Sequence, residues 1–94
     1  MNSNVEIIER NLLAVIEEIA KQESVGALIP DTMLSLEGLV ERLREYINIA
    51  GEYAIAYEII TSSLEKLPFT LQGGTIIKLI DVALIMGYRY KKDL

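Results

Sequence analysis

Apolar and polar positions follow a helical period along most of the chain. Ile8, Leu12, Val15, Ile16 and Ile19 recur at steps of three and four and mark one face, with Glu9, Arg10, Glu17, Glu18 and Lys21 mostly off it. This predicts a first amphipathic helix. Ser3-Asn4-Val5-Glu6 has the spacing of a capping box, which places the helix start at Ser3, and the pattern fades near Gln22. Gly26 and Pro30 interrupt helical continuation and leave Ala27, Leu28 and Ile29 as an apolar connection expected to pack onto the core.

A second helix carries Leu36, Leu39, Val40, Leu43 and Ile47 as its buried stripe, with Asp31 or Thr32 as its cap and Ser35 a later option. Gly38 costs such a helix about 1 kcal/mol against alanine, which points to a close helix contact there. Gly51 ends the pattern and demands a tight turn. The third helix, from about Glu52 to Leu67, places Tyr53, Ala56, Tyr57, Ile60 and Leu64 on one stripe, with Ala54, Ile55 and Ile59 outside it. Being apolar on more than one side, the stretch Gly51 to Ile60 is expected to organise the fold, with neighbours on several faces.

Pro68 stops that helix, and Thr70 is the expected cap of a fourth, whose start Gly73-Gly74 leaves loose or confined to a short preliminary turn. Ile76, Leu79, Ile80, Ala83 and Met86 or Gly87 form its predicted face, widened by Val82, Leu84 and Ile85, with Gly87 as its stop. Residues 88–94 read as a short basic tail, frayed or partly docked through Tyr88 and Tyr90. The expectation is an all-α protein: a compact bundle of four to five helices in one domain spanning residues 1–94.

Ninety-four residues suffice for one core and not for two, and 51% apolar with 24% charged residues fits a globular chain. With no cysteine and no histidine, disulfides, thiolate zinc sites and nucleophiles activated by histidine are excluded, and a helical di-iron site lacks its usual histidines. Gly73-Gly74 lacks the surrounding glycines and lysine of a phosphate loop. No catalytic residue, metal or cofactor is therefore expected. The N-terminus has no basic segment followed by an apolar core, and the apolar run Thr75 to Gly87 is too short to span a bilayer and contains Lys78 and Asp81. A cytoplasmic protein without a membrane partner is the expectation. Net charge is −5, unevenly spread: residues 88–94 carry +2, and the remaining 87 hold six bases against thirteen acids. Such a body repels nucleic acid and attracts basic partners.

Glu37, Glu41 and Glu45 repeat every four residues and stack on one side of the second helix. They form either a negative ridge for a basic partner or a solvated face moderated by Arg42 and Arg44. Glu52 is either a partner contact or an acid satisfying amides at the start of the third helix. Glu58, amid apolar residues, is either that helix's exposed edge or a partly buried acid with a defined hydrogen bond. Tyr53 and Tyr57 fit the core, whereas Tyr46 and the tail tyrosines are candidates for an exposed contact surface.

The run Gly51-Glu52-Tyr53-Ala54-Ile55-Ala56-Tyr57-Glu58-Ile59-Ile60, followed by Leu64, resembles the Gly-Glu-Tyr-x-x-Ala-x-Glu-x-Leu segment of small helical immunity proteins. These are the MafI-type and related CdiI-type proteins of bacterial polymorphic toxin and contact-dependent growth inhibition systems. Gly51, Glu52, Tyr53, Ala56 and Glu58 stand at the pattern's positions, Ile60 replaces the usual leucine, and Tyr57 takes an apolar position. The resemblance extends through the Thr70-Leu71 turn and the closing helix ending Ile85-Met86-Gly87, about half the chain. It implies a non-enzymatic inhibitor that binds a cognate toxin domain in the cytoplasm, and family toxins are often nucleases, including EndoU-like RNases. Glu37, Glu41, Glu45 and Tyr46, with Glu52 and Glu58, are the candidate partner-binding residues, while Gly51, Tyr53, Ala56, Tyr57 and Ile60 serve the motif's structure.

Two other readings stand beside this one. A helical adaptor or regulator would dimerise through surplus apolar surface on the third and fourth helices. An acyl-carrier-like protein would use Ser35-Leu36 as an attachment site, but Leu34 replaces the aspartate that such a site requires.

Overall fold

One helix touches almost everything else. The computed structural model describes residues 3–87. Helix α1 (Ser3–Ala20) runs through the middle and packs against every longer element: α3 (Leu36–Glu45), the π-helical turn that continues it (Tyr46–Ala50), α4 (Tyr53–Lys66) and α5 (Gly73–Ile85). A single helical turn, α2 (Glu23–Gly26), follows α1 closely. Among the described residues there are five α-helices and no strand, so the all-α bundle is as expected.

The centre of α1 follows from its sequence. Ile8, Leu12, Val15, Ile16 and Ile19 are all buried, the last four completely, and they meet Val40, Leu43, Ile47, Ala56, Ile60, Phe69, Leu79 and Val82 in one core. The stretch Gly51 to Ile60 is therefore not the hub. On α4 only Ala56 and Ile60 are buried, Tyr53, Tyr57 and Leu64 pack half-buried on the core's edge, and Ile55 is exposed. An apolar excess on several sides of a helix measures its demand for partners and not the number it receives.

Local signals placed most boundaries, and contacts between elements moved the rest. Ser35 caps α3, its hydroxyl accepting from the Gly38 N–H at 3.1 Å, so Asp31 and Thr32 stay in the preceding exposed loop. Gly38 is not a point of close helix contact: the nearest atoms a β-carbon there would meet belong to Leu34 and Ser35 just before it, at 3.4 Å or more. The close approach is at Gly26, where a β-carbon would lie 2.8 Å from Leu36 Cδ2 and 2.9 Å from Leu36 Cβ. Ala27 and Leu28 do not pack onto the core; both are exposed and only Ile29 is half-buried. The cap expected at Ser3 involves a side chain outside the described residues, as do the expected contacts of Tyr88 and Tyr90.

At the end of α3 the winding widens. The Tyr46 carbonyl accepts from the N–H of both Gly51 and Glu52, and Gly51 takes a φ of 66°, the left-handed conformation that suits glycine. The turn into α4 is tight, as expected. Tyr46, a candidate for exposure, is instead half-buried against the core.

The position of α5 is set by polar groups on α1. Buried Asn11 donates from Nδ2 to the Lys78 carbonyl at 3.2 Å. Glu18 accepts from the Gln72 N–H at 2.8 Å and the Thr75 hydroxyl at 3.3 Å, placing a carboxylate at the start of α5, where the helix dipole favours it. Gln22 clamps the strap before α5: its Nε2 donates to the Thr70 carbonyl at 2.7 Å, and its Oε1 accepts from the Thr70 N–H at 2.9 Å. Thr70 is thus a clamped strap residue and not the cap; Gln72 holds that position, and Gly73 and Gly74 lie within α5 proper.

These ties also decide which face of α5 is inside. Leu79 and Val82 are buried and Ile85 and Met86 pack on the core, whereas Ile76 and Ile80, assigned to the inner face by periodicity, are exposed along with Ile77 and Leu84. Both sides of α5 are apolar, so spacing alone could not choose between them.

Candidate functional site

Helix α3 divides two depressions of opposite character. On one flank lies an open cleft of about 1120 Å³ between α2, α3 and the π-helical turn. Glu37, Glu41 and Glu45 lie along it at one helical turn each, and Glu23 from α2 adds a fourth carboxylate. All four are exposed. The single base lining the cleft, Arg44, is joined by its guanidinium to Glu17 of α1 at 2.7 Å. Arg42, expected to moderate the ridge, does not line the cleft. The result is a wall of negative charge whose one lining cation is already paired.

At the cleft's end the π-helical turn presents Asn48 and Ile49, the latter 82% exposed. Ile47 stays in the core, so the wide turn directs its successive residues to opposite environments. An apolar tip next to four carboxylates combines an anchor with a charged field, the usual division of labour at a protein interface. Among the described residues no three carboxylates converge as a metal ion would require.

On the opposite flank of α3 a groove of about 340 Å³ is lined mainly by Ile29, Met33, Leu34, Leu39, Ile55 and Ile59, with Glu58 and Lys66 at its edges. Glu58 is exposed there, on the helix's outer edge. The six residues singled out from the sequence therefore do not form one surface. Glu37, Glu41 and Glu45 share the acidic cleft; Glu58 borders the apolar groove; Glu52 is exposed before α4, with no capping bond from its side chain; and Tyr46 is turned partly into the core. Glu23 and Ile49 complete the cleft and were missed, as was Glu17, which pairs with its Arg44. Ile49 did leave a signal, as an isoleucine out of step with the stripe of Val40, Leu43 and Ile47.

Within the resemblance motif, Tyr53 has a defined role. Its hydroxyl donates to Glu9 Oε2 at 2.7 Å and ties the start of α4 to α1. That bond, with burial and the carboxylate's charge adding to it, raises the Tyr53 pKa above its ordinary value. Gly51 makes the turn and Ala56 and Ile60 fill the core, so the motif residues bear on the fold.

No protein-family description, no curated protein and no solved structure matches this chain. No helix among the described residues is long and apolar enough to cross a membrane.

Proposed function

We propose that the protein is a non-enzymatic immunity-type inhibitor that binds the basic groove of a cognate toxin domain, of the nuclease class, through its acidic cleft. The observation carrying this reading is the four-carboxylate wall of Glu23, Glu37, Glu41 and Glu45, whose neighbouring cation is occupied by Glu17. A nuclease groove is built to receive a row of phosphates, and carboxylates at successive helical turns offer a comparable row of negative charge. Ile49 adds an apolar contact at one end. Inhibition is then occlusion, with rapid association steered by charge and no turnover. The resemblance of Gly51 to Ile60 to MafI- and CdiI-type proteins supports the same class and implies a complex in the producing cell's cytoplasm.

The decisive experiment is co-purification with the tagged C-terminal domain of the polypeptide encoded immediately upstream. A stoichiometric complex that suppresses the neighbour's toxicity is expected. Combined Glu37→Gln, Glu41→Gln and Glu45→Gln substitutions should leave folding intact and slow association at low salt about tenfold or more, an advantage that salt removes in the wild type. Unchanged association kinetics would remove the cleft from the interface, and the absence of any complex with that neighbour would remove the immunity reading.

A further inference from the structure

Helix α5 carries an apolar stripe that its own protein does not cover. Ile76, Ile77, Ile80 and Leu84 are all exposed, Ile77 by 60% and Leu84 by 68%, with Asp81 the charged residue at the edge of the stripe. Together they present on the order of 400 Å² of apolar surface, a size at which a patch is commonly a contact surface. Gly73, Ile77, Ile80 and Leu84 follow one another at spacings of four, three and four, the seam of a helix that pairs with another helix.

We propose that this face is the two-fold contact of a homodimer, with α5 of one copy antiparallel to α5 of the other and crossing at Ile80. The stripe is nearly symmetric about that residue. Three positions either side stand Ile77 and Ala83, and four either side Ile76 and Leu84. Reversing the helix therefore places isoleucine against alanine and isoleucine against leucine, the self-complementarity that a two-fold contact needs. A β-carbon at Gly73 would meet nothing within 4 Å, so the start of the helix is open to a close approach.

Charge favours the same occupant. Two copies of an acidic chain repel, but α5 carries only Lys78 and Asp81, which cancel, whereas the acidic cleft lies beyond α3. The contact is smaller than that of a standard stable complex, so association in the micromolar range is expected. Neither flank of α3 is covered, and dimerisation and partner binding are independent.

Sedimentation equilibrium on the full chain tests this. The mass should rise from 10.5 kDa toward twice that value as concentration increases; a range of roughly 10 µM to 1 mM brackets micromolar association. Ile80→Asp and Leu84→Asp should each hold the chain at the lower mass, with Ile77→Lys as a third variant should either perturb the far-UV circular dichroism. Because the chain has no cysteine, Ile80→Cys should form a disulfide-linked dimer on oxidation and Gly73→Cys alone should not. A wild type that stays at 10.5 kDa throughout overturns the proposal. So does a dimer that all three charged variants leave intact, or dimerisation that appears only after residues 88–94 are removed, which would make the tail the natural cover.

Discussion

In α1, all five residues of the predicted apolar face are inside the protein, and the polar residues around them hold neighbours in place: Glu9 for α4, Glu17 for α3, and Asn11, Glu18 and Gln22 for α5 and its strap. In α5, two large residues are buried and four are left in solvent. The two helices pack along each other, yet one is surrounded and the other is covered on a single side. Hydrophobicity alone ranks α5 as the better core helix, and the fold makes α1 the core. What separates them is the distribution of polar groups. A helix with a narrow apolar face and specific hydrogen-bonding partners has one way to sit, whereas a helix apolar on opposite sides has at least two, and its neighbour's polar atoms choose between them.

Truncating equivalent leucines should expose this contrast most strongly. Leu12→Ala removes a fully buried side chain at the centre of α1 and should cost about 3 kcal/mol in urea or thermal unfolding. A loss below about 1 kcal/mol would mean that α1 is not the centre of the core. Next in size is Gln22→Ala, which deletes both bonds to the Thr70 backbone and the one to the Glu18 carbonyl. It should cost about 1.5 kcal/mol and raise hydrogen exchange in the strap and first turn of α5 before the rest of the protein.

Tyr53→Phe should cost about 1 kcal/mol near neutral pH, through loss of the bond to Glu9. The effect has a sign in pH. Because the folded pKa is raised above the ordinary 10.0, the contribution is complete below that value and is lost as pH rises through the raised pKa. Wild type and variant should therefore converge in stability above pH 10; curves that stay parallel would show that the phenol proton is not held by Glu9. The smallest change is expected from Leu84→Ala on the uncovered face of α5, within about 0.5 kcal/mol at dilution where the chain is monomeric. Its chief effect should appear in concentration-dependent mass, which ties the comparison to the proposed dimer.

Much of this arrangement was legible in the residues. The face of α1 was readable because polar residues bounded it on both sides, and Gly51 and Gly87 were readable as stops because glycine readily takes the positive φ that both adopt. The carboxylate row was readable because three glutamates at a spacing of four must stack on any helix. Glu23 as the cleft's fourth carboxylate was not, since α2 is brought beside α3 by packing such as the close approach of Gly26 to Leu36. Nor could the sequence separate Glu58 from the ridge, because the side of α3 on which α4 lies is a matter of packing.

The chain by itself determined that it forms helices, roughly where they begin and end, and that its body is acidic with a surplus of apolar surface. Those properties depend on period, punctuation and composition, which are local or additive. Only the tertiary structure decided that α1 is the hub, that α5 turns Leu79 and Val82 inward and Ile77 and Leu84 outward, and that Arg44 is drawn to Glu17 beside the cleft. Each of those outcomes rests on a contact between residues far apart in sequence, such as Asn11 with the Lys78 carbonyl or Gln22 with Thr70. Neither partner in such a pair carries a mark of the other until the chain has folded.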